Sequence, residues 1–250
     1  MLFRNIIFSA LLVGIIAGVV FSVIQQFQVS DIIYAAEKFE SSTEQESHQH
    51  TPSGSGTMSD NHHDEEAWAP EDGAERIFYT VVANILSGIG YAIVLLSLMN
   101  LVSMYKKTPV SLLQGIVWGV AGYLSVFIAP SFGLHPEIPG MQAAALEARQ
   151  IWWVFTVISS ATGLGLLFYL TGAKKLFAVF FLLIPHLIGA PAITGSPFKQ
   201  MDPEVVLQLT ELHHQFLIAT GVVNGIFWLL LGALSAWVLQ KWSSQSLNNH

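Results

Sequence analysis

Six stretches of the chain are dominated by apolar residues and contain no Asp, Glu, Lys or Arg: Ile6 to Ile24, Ile77 to Val102, Leu112 to Phe132, Ile151 to Leu170, Leu176 to Ile193 and Phe216 to Leu239. About 20 uncharged residues of helix cross a hydrocarbon core, so the pattern predicts an all-α, polytopic transmembrane helix bundle of about six spans over residues 1–250, the fifth being the shortest. Three spans carry glycines four apart, Gly14 with Gly18, Gly115 with Gly119 and Gly221 with Gly225. Small residues at that spacing let helix backbones approach closely in lipid, which favours a compact bundle.

Composition agrees: 52% of residues are hydrophobic and 11% charged, against about a quarter charged in a soluble domain. The arrangement of the charges adds more. All seventeen Asp and Glu residues fall in the segments 25–76, 133–150 and 194–215, which share one side of the membrane in any six-span chain. Arg4, Lys106, Lys107, Lys174, Lys175 and Lys241 fall in the short segments on the other side. By the positive-inside rule both termini are then cytoplasmic and the acidic, histidine-rich face points outward. Carboxylates contribute little to topology, so their one-sidedness asks for a functional reason. The first span is read as a retained anchor, because its apolar run exceeds that of a signal peptide and no A-x-A site follows it. With no cysteine, thiolate metal sites and disulfides are excluded, and any metal is held by His, carboxylate, carbonyl or water.

The three acidic segments differ in kind. In the first, Glu37, Glu40 and Glu44 share one face of a helical stretch. Residues 41–67 then become a Ser, His, Gly and acid-rich outer loop whose composition cannot bury a core and reads as disordered. His48, His50, His62 and His63, the latter pair followed by Asp64, Glu65 and Glu66, suit capture of divalent Co, Ni or Zn; the alternative is a solvated spacer. The second segment holds LHPEIPG, Leu134 to Gly140, in which two prolines keep the chain extended and bring His135 and Glu137 to one side as a two-ligand arm, or form only a rigid turn. Trp152 and Trp153 follow, where an interfacial aromatic belt would sit. In the third, Asp202 caps a helix opened by Pro203 that runs into the last span. There Glu211, His214 and Gln215 share a face, with His213 beside them. E-x-x-H also occurs in di-iron bundles, which need two copies; one is present here, and the face is otherwise a polar helix entry.

Within the spans, His186 is the one acid-base side chain. It follows Pro185 in PHLIGAP, where the missing proline amide releases a backbone carbonyl. An intramembrane ionisable residue is a candidate for an ion path, against a histidine that only bonds a neighbouring helix. Asn84 and Asn224 are further deep polar groups that can join helices. No P-loop pattern occurs, so the chain does not itself couple transport to ATP.

Taken in order, the opening span with QQF, the His-rich loop closing in WAPEDGAER (Trp68 to Arg76), ANILSGIGYA, LHPEIPGM, ARQIWW, PHLIGAP, HHQF and FWLLLG resemble the CbtA family of predicted cobalt transporter subunits across nearly the whole chain. The resemblance implies a subunit for uptake of Co(2+) in the bacterial cytoplasmic (inner) membrane. It also implies a small, single-span, His-rich CbtB-like partner. No prosthetic group and no nucleic-acid partner are expected. The metal-ligand candidates His135, Glu137, His186, Glu211, His213, His214, His48, His50, His62 and His63 rest on chemistry and motif position, not on transferred ligands. Two other classes stay open: a membrane-embedded metal-binding enzyme, and a non-transporting assembly or partner subunit.

Overall fold

The computed structural model of the chain describes residues 2–48, 70–198 and 202–248. These form helices α1 (Leu2–Gln28), α2 (Ser30–His48), α3 (Ala74–Lys106), α4 (Leu112–Tyr123), a π-helical turn (Leu124–Ile128), α5 (Ala129–Ser131), α6 (Leu146–Tyr169), α7 (Lys175–Ile188) and α8 (Pro203–Asn248). Among the described residues the β structure is one antiparallel bridge, Met141 to Phe198.

Five helices are long and apolar enough to cross a membrane: Phe3–Gln28, Ala74–Lys106, Leu112–Ser131, Leu146–Tyr169 and Pro203–Trp242. The expected span over 176–193 is shorter as a helix. α7 has 14 residues, about 21 Å at 1.5 Å per residue. Gly189 ends it with φ 89°, and Pro191 cannot donate the amide that would renew it. The chain nonetheless returns to the end where α6 began. The Trp152 indole near the start of α6 donates to the Pro185 carbonyl near the end of α7, 3.2 Å away, and farther on the Gln142 amide donates to Pro197 O at 2.7 Å. The short helix and its extended tail together carry the chain back along α6.

Antiparallel packing sorts the ends of the bundle. The Gln240 amide donates to Val110 O at 3.0 Å, and Lys106 Nζ lies 5.4 Å from the centre of the Tyr169 ring. The α3–α4 turn, the α6–α7 turn and the C-terminal part of α8 therefore share one end, with Arg4 at the start of α1. Six basic residues meet there, as the charge pattern predicts. The α1–α2 junction, the start of α3, residues 132–145 and 189–198 and the start of α8 make up the other, acidic end.

Glycine contacts set two of the helix pairs. A Cβ added at Gly18 would stand 2.6 Å from Ile85 Cα, and one at Gly88 2.7 Å from Gly14 O, so α1 and α3 touch backbone to backbone. α4 meets α8 in the same way, a Cβ at Gly115 falling 2.5 Å from Gly232 O. The third expected pair behaves differently: Gly221 and Gly225 face Tyr123 and Phe127 at 3.6 Å or more, and Gly232 makes the close approach instead. Aromatic rings fill what the aliphatic core leaves, Phe21 edge-on to Phe227 at 5.1 Å and Tyr91 against Trp228 at 4.9 Å.

A second apolar cluster lies at the acidic end and reaches into the start of the last expected span. Val29, Ala36, Ile138, Phe198, Leu209 and Phe216 bury one another there. Between helices in lipid there is no hydrophobic drive, but a cluster facing water gains about 1.5–3 kcal/mol per large side chain. This cluster packs α2, the LHPEIPG segment and α8 into one cap. α2 itself continues almost without a break from α1, Val29 N bonding Gln25 O at 2.8 Å and Ile33 N bonding Val29 O at 3.2 Å. It runs to His48, into the range read from composition as disordered; residues 49–69 lie outside the described residues.

Candidate functional site

The acidic cap holds five of the candidate ligands, His135, Glu137, Glu211, His213 and His214. Ile138 is buried in the apolar cluster, and this anchors LHPEIPG across the start of α8. His213 Nε2 lies 3.0 Å from Pro136 O; a carbonyl only accepts, so Nε2 carries a proton and donates it there. Glu137 pairs with Arg149 at 2.7 Å. The arm expected from His135 and Glu137 is therefore not an open carboxylate beside an imidazole, because the carboxylate is held by a guanidinium; His135 is exposed. A cation reaching Glu137 competes with Arg149.

α8 opens as the sequence predicts, Glu204 N donating to Asp202 Oδ1 at 2.9 Å. Glu211 accepts from the Gln215 amide one turn on, at 3.0 Å. His214 is exposed while His213 is half-buried, so the two imidazoles diverge: His213 braces the loop and His214 faces outward with Glu211.

His186 lies two residues before the end of α7, at the level of Trp152 and near the acidic end, not midway through the bundle. Its ring meets Trp152 at 6.0 Å and Phe132 at 6.1 Å, both edge to face. Trp152 is 5% exposed and is a buried tie to Pro185, not a member of an aromatic belt. Inward from it, Thr156, Ser159 and Ser160 are buried on α6, and Ser125 is buried in the π-helical turn. Ser160 Oγ has no hydrogen-bond partner. Asn224 bonds its own helix at Thr220 O, whereas Asn84 joins α3 to α1.

Asn84 bonds two residues that line a polar cavity the sequence pattern does not announce. A space of about 100 Å³ opens between α1, α2 and α3, lined by Ser22, Gln25, Gln26, Ser30, Ile33, Tyr34, Arg76, Ile77 and Thr80. The Asn84 amide donates to Ser22 Oγ at 3.0 Å and to Gln25 Oε1 at 2.7 Å. At the cavity's mouth Arg76 bridges Glu37, at 3.0 Å through one nitrogen and by a shorter bond through the other, and Asp72 at 3.1 Å. The same guanidinium lies 5.1 Å from the Tyr34 ring centre. The signal for this site is split along the chain: QQF and WAPEDGAER stand far apart, and only the α1–α3 packing joins them.

Among the described residues no three His, Cys, Asp or Glu side chains converge in a metal-binding group. His48 closes α2; His50, His62 and His63 lie outside the described residues.

These features define a helical membrane protein with a basic end, and an acidic end that carries scattered imidazoles and carboxylates. The family model for CbtA, a probable cobalt transporter subunit, matches residues 3–240, and the chain belongs to that family. No curated protein and no solved structure matches it.

Proposed function

We propose that the chain is the membrane subunit for uptake of divalent cobalt, taking up the ion at its acidic end, which faces outward from the bacterial inner membrane. The observation that carries this reading, beside the family, is the charge sorting: one end of the bundle gathers six cationic side chains, the other carboxylates and imidazoles. The acidic end raises the local concentration of divalent cations over about 8–10 Å at physiological salt. The loop histidines, His135 with Glu137, and His214 with Glu211 exchange waters of the hydrated ion. The ion then passes His186 and follows the buried hydroxyls of Thr156, Ser159, Ser160 and Ser125, whose row runs from the acidic end inward. A potential of 100 mV, negative inside, favours entry of a divalent ion by about 4.6 kcal/mol. A subunit works within an assembly, and a single-span, His-rich CbtB-like protein is the proposed partner.

His186→Ala tests the route. Radiocobalt uptake by cells carrying the variant, at wild-type protein level in the membrane, should fall several-fold. Unchanged uptake removes His186 from the path.

A further inference from the structure

The basic end of the bundle carries charge of one sign only. Lys106 ends α3 and Lys107 opens the turn to α4, while Lys174 and Lys175 stand where the α6–α7 turn enters α7. All four are exposed, and among the described residues none is ion-paired with a carboxylate. None of the chain's Asp or Glu residues falls in the segments at this end, so their charge is not balanced from within.

The positive-inside rule accounts for lysines in these turns but not for the meeting of the turns. Lys106 Nζ lies 5.4 Å from the centre of the Tyr169 ring, where α6 ends. The other ties of the α6–α7 hairpin to the bundle gather toward the acidic end. α6 packs on α5 and the π-helical turn, a Cβ at Gly133 would lie 2.6 Å from Trp152, and Phe132 stands edge-on to His186. Nor do the lysines serve their own helices. Lys174 is the N-cap of α7 and Lys175 its first residue, where a cation opposes the helix dipole. Lys107 takes a left-handed conformation, φ 52°, which glycine adopts at less cost.

Apolar surface begins directly beside these charges. α4 turns Gly115, Gly119 and Gly122 to α8, leaving Leu113, Val117 and Val120 exposed on its other side. On α7, Leu176, Phe177 and Phe180 are exposed. The turns span only residues 107–111 and 170–174, so the ammonium groups sit at the level of the lipid headgroups and do not reach out into water. Clustered cations bordering lipid-facing helices match a phospholipid whose head is negative.

We propose that the α3–α4 and α6–α7 turns together hold the head of one anionic phospholipid, its phosphate among the four ammonium groups and its chains along the exposed sides of α4 and α7. Bound there, the lipid ties the hairpin to α3 at the end opposite the Trp152 and Gly133 contact. The site rests neither on transport nor on a metal.

Native mass spectrometry of the full chain, released from nanodiscs of equal phosphatidylglycerol and phosphatidylcholine, tests it. The wild-type chain should keep one phosphatidylglycerol in preference to phosphatidylcholine. A lysine near the membrane surface is worth about fivefold in affinity for anionic lipid, so Lys106→Gln with Lys174→Gln should lower retention at least about tenfold. Lys107→Gln with Lys175→Gln, a second pair from the same turns, should match it. Lys106→Arg with Lys174→Arg keeps the charge and should keep the lipid. Arg4→Gln with Lys241→Gln removes as much charge from α1 and α8, outside the two turns, and should change retention by no more than about twofold because such charges are screened. Equal loss in this control would reveal diffuse surface attraction and overturn the proposal, as would equal retention of the two lipids. Release of the lipid by excess inorganic phosphate would mark a site for a soluble anion and overturn it too.

Discussion

Replacing Gly115 by alanine should loosen the bundle at the α4–α8 contact. The new methyl would stand 2.5 Å from Gly232 O, against 3.4 Å or more for ordinary contact, and would also meet Ala236. The obstacle at Gly232 is backbone, so no rotamer change relieves it and the helices must part by about 1 Å. Overpacking of this size costs about 1–3 kcal/mol. Gly90→Ala on α3 is the control, because nothing lies within 4 Å of its added Cβ. There the substitution should be neutral, or stabilising by up to about 1 kcal/mol through helix propensity. Both variants gain the same propensity, so their difference isolates the contact and should be about 2 kcal/mol. Reversible unfolding in mixed micelles, followed by circular dichroism, measures it. Equal stability of Gly115→Ala and Gly90→Ala would refute backbone-to-backbone packing of α4 on α8.

Asn84→Leu removes the donor to both Ser22 and Gln25 and should cost about 0.6–1.7 kcal/mol in the same assay, the range for interhelical hydrogen bonds in lipid; no loss would mean that the amide does not tie α3 to α1. His213→Phe keeps the ring volume but leaves the Pro136 carbonyl without its donor, and should lower stability by about 1 kcal/mol. It should also speed amide exchange in Ile138 to Met141 more than in α3, and uniform exchange would contradict a local brace.

The membrane-spanning segments are legible in the sequence because a helix without charge over about 20 residues has no water-facing side to offer a soluble fold. The fifth is only partly so, for a definite reason: Gly189, Ala190 and Pro191 carry no charge and so extend the uncharged run, but a glycine at positive φ with a proline two residues on ends a helix. The composition of 41–67, rich in Ser, His, Gly and acid, reads as a disordered loop, and α2 enters the first part of that range, as far as His48, as a continuation of the helix begun by α1. Side-chain partnerships are the least legible. Glu137 stands beside His135 in the sequence, and nothing local announces that Arg149 claims it. The meeting of Glu37 with Arg76 and of Asn84 with Gln25 depends on the register of α1 against α3, set by Gly14, Gly18 and Gly88. Those glycines are visible in the sequence, but the register is not. His186 stands out as the acid-base group of the spans, while its depth follows from where α7 stops.

Whether this chain admits cobalt at its acidic end is decided by radiocobalt flux into proteoliposomes carrying the full chain, with and without a single-span His-rich partner. A potential negative inside is imposed, and oriented protein is confirmed by protease access to the long acidic loop. Uptake should rise with the potential, enter from the acidic side and fall with His186→Ala. Oriented, folded protein that passes no cobalt with or without the partner would show that the chain is not the route of entry.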